Sequence, residues 1–124
     1  MAKKVKPGMS AKEIAILHYT LLMENNKKEW LKTVRKRLRD LTAQGKRGAR
    51  HDNWWEVGRQ RVEEKGVKYS FKNKVARQST DTHIKFFFHR KLPDGSKLGS
   101  GQVPIHVIKD KDDNDEWRVD TSSW

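Results

Sequence analysis

The chain has no cysteine among its 124 residues, which removes disulfide frameworks, zinc-thiolate fingers and thiol nucleophiles at once. It also lacks any run of about 20 apolar residues of the kind that spans a bilayer. Its start, MAKKVKPGMS, carries charge without the apolar stretch of a signal peptide. These absences predict a soluble cytoplasmic protein with no membrane partner. Acids are scarce in the first half: residues 1–62 hold 16 Lys or Arg against 6 Asp or Glu, whereas residues 63–124 hold 12 and 10. Most of the net charge of +12 therefore sits in residues 1–62. Such a placement attracts anions over long range, whether nucleic acid or an acidic protein, and says nothing about fold. Catalytic signatures are missing as well. There is no glycine-rich phosphate loop, no HExxH and no nucleophile elbow, so no cofactor is expected and an enzyme is the weaker expectation.

What is present specifies elements clearly. The length suits one domain with one core, preceded by a flexible basic tail over residues 1–9; the domain itself occupies 10–124. Ser10 and Glu13 form a capping box that opens a helix, AKEIAILHYTLLM, which is apolar almost all round and so must be enclosed. Asn26 and Glu29 repeat the capping logic for a second helix. There Trp30, Leu31, Val34, Leu38 and Leu41 make one apolar stripe that runs until Gly45. A short third helix is predicted in DNWWEVGRQRVEEKG, capped by Asp52 or Asn53 and stopped by Gly66.

After Gly66 the period becomes 2. Val67, Tyr69 and Phe71 alternate with polar residues, then Ile84, Phe86 and Phe88 do so in a second strand that ends at the turn LPDGS. A third strand, GQVPIHVIK, points Val103, Ile105 and Val107 one way and Pro104, His106 and Ile108 the other. The acidic loop DKDDNDE leads to a last strand, WRVDTSSW. Helices followed by an antiparallel meander make an α+β domain, with the N-terminal helices packed on one face of a sheet of four or more strands.

The order of elements, the start ILHYTLLMENNKKEWLKTV and the close VPIHVIKDKDDNDEWRVD, with Trp117, Arg118 and Val119 in its last strand, resemble the nuclear transport factor 2-like superfamily. That resemblance implies N-terminal helices packed on the concave face of a curved antiparallel sheet, a cone whose open end forms a pocket between the first helix and the sheet. By the same resemblance the pocket would draw on Tyr19, Met23, Trp30, Trp54 or Trp55, Phe86 and Phe88, and would take a small apolar ligand. Some members are isomerases, dehydratases or epoxide hydrolases, and Tyr19 stands where the isomerases carry an oxyanion-donating tyrosine. The carboxylates of those enzymes have no convincing counterpart here. A shared fold does not by itself license a function, so a non-enzymatic binding domain is the first expectation and a pocket enzyme an alternative.

Three further patterns carry chemistry. His83, His89 and His106 share the outer parity of two strands, but the cations Lys85, Arg90 and Arg118, read as belonging to that face, oppose a bound cation, and no metal site is expected. His18, on the enclosed helix, reads as a satisfied core histidine. The loop starting at Asp110 has acids at alternate positions, yet Asp115 and Thr121 stand where a calcium-binding EF-hand needs glycine and glutamate. Phe87, Pro104 and Ile108 form an apolar patch among His89 and His106 on the outer sheet face. An apolar patch with a polar rim marks an interface, and the family resemblance implies a homodimer through that face. Finally, Lys28, Lys32, Arg35, Lys36 and Arg39 fall on one side of the predicted second helix, with Lys46, Arg47 and Arg50 continuing into a loop. Only Glu29 and Asp40 seem close enough in sequence to relieve their repulsion, so a nucleic-acid or other polyanion surface is a second alternative.

Overall fold

The structure, a computed structural model, describes residues 4–43 and 54–124. Gly45, Lys46, Arg47, Arg50, Asp52 and Asn53 lie outside the described residues, as does the side chain of Leu41. Helix α1, Ala11–Met23, starts at the expected capping box: Ser10 Oγ accepts the Glu13 N–H at 3.1 Å, and the Glu13 carboxylate accepts the Ser10 N–H at 3.0 Å. It ends on Asn25, whose φ of 60° lets the Asn26 N–H reach the Leu21 carbonyl and the Asn25 N–H reach Leu22. Two orphan carbonyls are thereby satisfied, as in a Schellman turn. Asn26 then caps α2, Lys27–Thr33, by accepting the Glu29 N–H.

The expected long second helix is two helices. Val34 leaves helical geometry (φ −84°, ψ 144°) and bridges in parallel to Val119, and the Arg35 N–H donates to the Val119 carbonyl at 3.0 Å. Helix α3, Lys36–Ala43, begins immediately after, with the Lys36 N–H on the buried Asp110 carboxylate at 2.7 Å. The break places Val34, a fully buried side chain, against the sheet, where burial is favourable by about 1.5–3 kcal/mol. A continuous helix would deny it that contact. Helix α4, Trp54–Lys65, follows, and its Gly58 lies against Leu22 of α1 and Trp124.

Four strands, β1 (Lys68–Lys74), β2 (His83–Lys91), β3 (Lys97–Asp110) and β4 (Glu116–Ser122), pair antiparallel in the order β1-β2-β3-β4. This is the predicted meander, with β3 starting four residues earlier than alternation alone suggests. Gly95, at φ 86°, closes the β2–β3 hairpin beside the Leu92–Ser96 pair. Register shifts at Phe71/Asn73, His89/Lys91 and His106/Val107 mark bulges, which bend the sheet. Its inner face carries Tyr69, Phe86, Phe88, Val103, Ile105, Val107 and Val119, and α1 packs against all four strands from that side. Residues 4–9 lie along the domain: the Gly8 N–H donates to the Glu116 carboxylate at 3.1 Å, and Val5 and Met9 pack on the core.

Candidate functional site

The residues expected to line a cone pocket meet one another. Tyr19, Trp30, Trp54, Trp55, Phe86 and Phe88 are buried and Met23 half-buried. The Tyr19 ring lies 4.3 Å from Phe88 and 5.0 Å from Tyr69, while Trp30 is 5.3 Å from Trp54 and 5.2 Å from Trp55. Among them sits Trp124, stacked on His18 at 5.4 Å and edge-on to Tyr19 at 5.5 Å. Its indole N–H donates to the Trp54 carbonyl at 2.6 Å, and Arg90 donates to its main-chain oxygen at 2.8 Å. The sequence reading placed Trp124 only as the end of a strand. A lone aromatic after the polar DTSS was the available signal, because a large apolar side chain in such company needs somewhere to be buried.

His18 and Tyr19 are bound within this cluster. Thr33 Oγ1 donates to the Trp30 carbonyl at 2.6 Å, so toward His18 it accepts, and the His18 proton sits on Nδ1, 2.8 Å away. His18 Nε2 then accepts from the Ser122 hydroxyl at 2.9 Å. A neutral ring satisfies both contacts. Burial pushes its pKa down to about 3. The Tyr19 hydroxyl donates to the Ser123 carbonyl at 3.1 Å; burial, with Tyr69 adding, holds its pKa well above 10 against the opposing Arg90. Both groups pin elements together: α1 to α2 and β4 through His18, and α1 to the C-terminal segment through Tyr19.

The other end of α1 is different. Near its N-terminus the inner face of the sheet is only partly covered, leaving an open groove of about 470 Å³ lined by Ser10, Ala11, Lys12, Phe71, Lys74, Ile84, Phe86 and Trp117. Its floor is apolar. Phe71 and Phe86 meet edge to face at 5.8 Å, and Ile84 and Trp117 are half-exposed at its sides. Lys12 and Lys74 line it, and Lys109, outside the lining, reaches the ring of a lining residue, Trp117. Lys12 Nζ lies 4.4 Å over the Phe71 ring, Lys109 Nζ lies 5.6 Å from the Trp117 ring, and the bulge after Phe71 sets Lys74 opposite Phe86. Among the described residues no acid lines the groove. Of the residues singled out from sequence for a pocket, Phe86 alone belongs to it. Ile84 and Phe71 were legible as alternating strand positions and Trp117 as part of the family-like close, but none of them as a site.

The basic segment is divided and paired. Because α2 and α3 are separate, its cations do not form the single helical stripe that was expected. Lys32 pairs with Glu29 at 2.7 Å and Lys36 with Asp40 at 2.9 Å. Two further acids come from the far end of the chain: Arg35 meets Asp120 at 2.8 Å, and Arg39 shares Asp113 with Arg118 at 3.1 and 2.8 Å. Burial raises the Asp113 pKa, but the hydrogen bonds and charges of Arg118 and Arg39 outweigh it and hold the carboxyl below its usual 3.8. Lys28 is exposed beside Glu29. The hollows on this side mix both signs, with Lys36, Arg37, Asp40 and Asp112 in one and Lys32, Arg39, Asp113, Glu116 and Arg118 in another.

On the outer sheet face Phe87 faces Pro104 across β2 and β3, His89 faces Gln102, and His83 faces Ile108. All six side chains are half-exposed. His83 Nε2 and His106 Nδ1 share a hydrogen bond at 2.8 Å. Burial, with His83 and Lys85 adding to it against Asp120, lowers the His106 pKa. Among the described residues no group of three or more His, Asp or Glu is placed to hold a metal ion, and no helix is long and apolar enough to cross a membrane. The chain matches no protein-family model, no curated protein and no solved structure.

Proposed function

We propose that the chain is a non-enzymatic binding domain of the nuclear transport factor 2-like kind, and that it holds a small apolar ligand in the groove at the N-terminal end of α1. The observation that carries this is the contrast between the two ends of the inner face. One end is filled by Trp124 and its aromatic neighbours, while the other leaves Phe71, Ile84, Phe86 and Trp117 around about 470 Å³ of open space. That volume lies in the range of small-molecule sites, roughly 300–1,000 Å³, and apolar surface left open in this way gains by being covered. Against a pocket enzyme stand the committed hydrogen bonds of His18 and Tyr19 and a groove without a general base. Against a polyanion grip stand the ion pairs of Lys32, Arg35, Lys36 and Arg39.

The test is a titration, followed by amide chemical shifts, with decanol, decanoate and decyltrimethylammonium below their micellar concentrations. Saturable shifts centred on Ala11, Phe71, Ile84 and Trp117 are expected with at least one of them. If none produces such shifts, the groove is not a binding site. The outer face supports a second role, self-association into a homodimer, because Phe87 and Pro104 stand side by side and half-exposed on β2 and β3, with Ile108 on the same face.

A further inference from the structure

We infer that the groove selects an amphipathic anion: an apolar body lying on Phe71, Ile84, Phe86 and Trp117, and an anionic head held by Lys12, Lys74 and Lys109. This rests on the groove being a binding site, and it adds the charge of what binds there. Three observations point to that charge. First, no acid lines the groove among the described residues, and the nearest carboxylates in sequence are engaged elsewhere, Glu13 with the Ser10 N–H, Asp110 with the Lys36 N–H and Glu116 with the Gly8 N–H. Second, the three lysines come from three elements, α1, β1 and β3, with Lys12 and Lys74 in the lining and Lys109 at the Trp117 ring, so their placement is a property of the fold and not of a local charge run. Third, their positions depend on strand irregularity and register. Lys74 reaches the inner face only because the bulge between Phe71 and Asn73 shifts β1 by one residue, and Lys109 stands directly across from Trp117.

Lys12 and Lys109 lie over aromatic rings. Each contact is a weak exposed cation–π interaction that a head group can replace with a charge-assisted hydrogen bond. Lysine suits this task because its stem packs along the apolar wall while the ammonium stays at the rim. A neutral ligand of the same shape would leave these cations as they are. A cationic one would meet three like charges with no acid between them.

The test compares decanoate, decanol and decyltrimethylammonium on the full chain, reading dissociation constants from the shifts of Ala11, Phe71, Ile84 and Trp117. Decanoate is expected to bind at least roughly tenfold tighter than decanol, the equivalent of one charge-assisted hydrogen bond retained at the rim, and the cation weakest. In the triple variant Lys12→Gln, Lys74→Gln, Lys109→Gln, decanoate falls to the affinity of decanol, while decanol itself is unchanged. These are surface positions, so the variant keeps its fold, which its unperturbed core amide shifts would verify. Raised salt should weaken decanoate alone. If decanol binds as tightly as decanoate, or if the triple variant leaves decanoate affinity intact, the anion inference is overturned while the groove stands. If none of the three ligands binds, both readings fall together.

Discussion

At the scale of single residues, the core is organised around a histidine that has to stay neutral. His18 is fully buried among Tyr19, Trp30, Trp54 and Trp124, and its neutral ring already satisfies both nitrogens, so a second proton would place a charge out of reach of water. The consequence for stability has a definite sign. The folded ring titrates at about 3, below the 6.5 of the unfolded chain. Between those values the unfolded chain takes up a proton that the folded one refuses. Stability is therefore full above pH 6.5 and declines as pH falls, by about 1.4 kcal/mol per unit, or about 3 kcal/mol by pH 4.5. His106, also lowered, adds in the same direction. Urea unfolding from pH 7.5 to 4.5 should show this loss, and His18→Gln should remove most of the slope while lowering stability at pH 7.5. A variant that keeps the wild-type slope would mean the proton uptake lies elsewhere. The sequence placed this histidine correctly on an enclosed helix. It could not reveal Thr33 and Ser122, because those partners lie 15 and 104 residues away.

At the scale of elements, α4 lies so close to the core that one of its positions tolerates no side chain. A Cβ on Gly58 would stand 2.8 Å from Trp124 Cε2 and 2.9 Å from both Leu22 δ-carbons. In an isolated helix Gly→Ala gains about 1 kcal/mol. Here overpacking, typically about 1–3 kcal/mol, should win, so Gly58→Ala is expected to destabilise by about 1 kcal/mol, the difference of the two central values, and to lower Tm. An equal or raised Tm would show that α4 can withdraw from Leu22 and Trp124 without loss. The reading of elements from sequence succeeded where the signal is local: the capping box of α1, the Asn26 cap, the alternation in β1 to β4 and the Gly95 hairpin. It failed at Val34. The stripe of Trp30, Leu31, Val34 and Leu38 has helical spacing whether or not the helix continues, and what breaks it is a carbonyl on Val119 and a carboxylate on Asp110. The groove was hidden for the same reason, since perfect alternation would turn Lys74 outward, and only the bulge turns it in.

At the scale of the whole molecule, the charge asymmetry of the chain is partly undone by folding. Asp113 and Asp120 of the second half pair with Arg39 of α3 and with Arg35 just before it, so what read as a basic stripe relieved only by Glu29 and Asp40 is a mixed surface. The homodimer proposed above would form on the outer sheet face. Its centre is apolar at Phe87, Pro104 and Ile108, and the histidine beside them has its pKa lowered, so at neutral pH His106 and His83 share one hydrogen bond without a net charge on His106. Closing a second copy over this face would bury His106 further and lower its pKa again, which couples association to proton release. A dimer on this face would accordingly be favoured at high pH and weakened as pH falls through the His106 pKa, where the His106 imidazolium beside Lys85 would be buried against its counterpart with Asp120 in opposition. Light scattering at micromolar protein should give about twice 14.6 kDa at pH 7.5, with the mass falling toward the monomer at pH 5. Phe87→Glu should give the monomer at both pH values without loss of the fold, since this side chain stands outside the core. A wild-type mass of 14.6 kDa at pH 7.5 and high concentration would end the dimer, and a dimer mass that Phe87→Glu leaves unchanged would move the interface off this face.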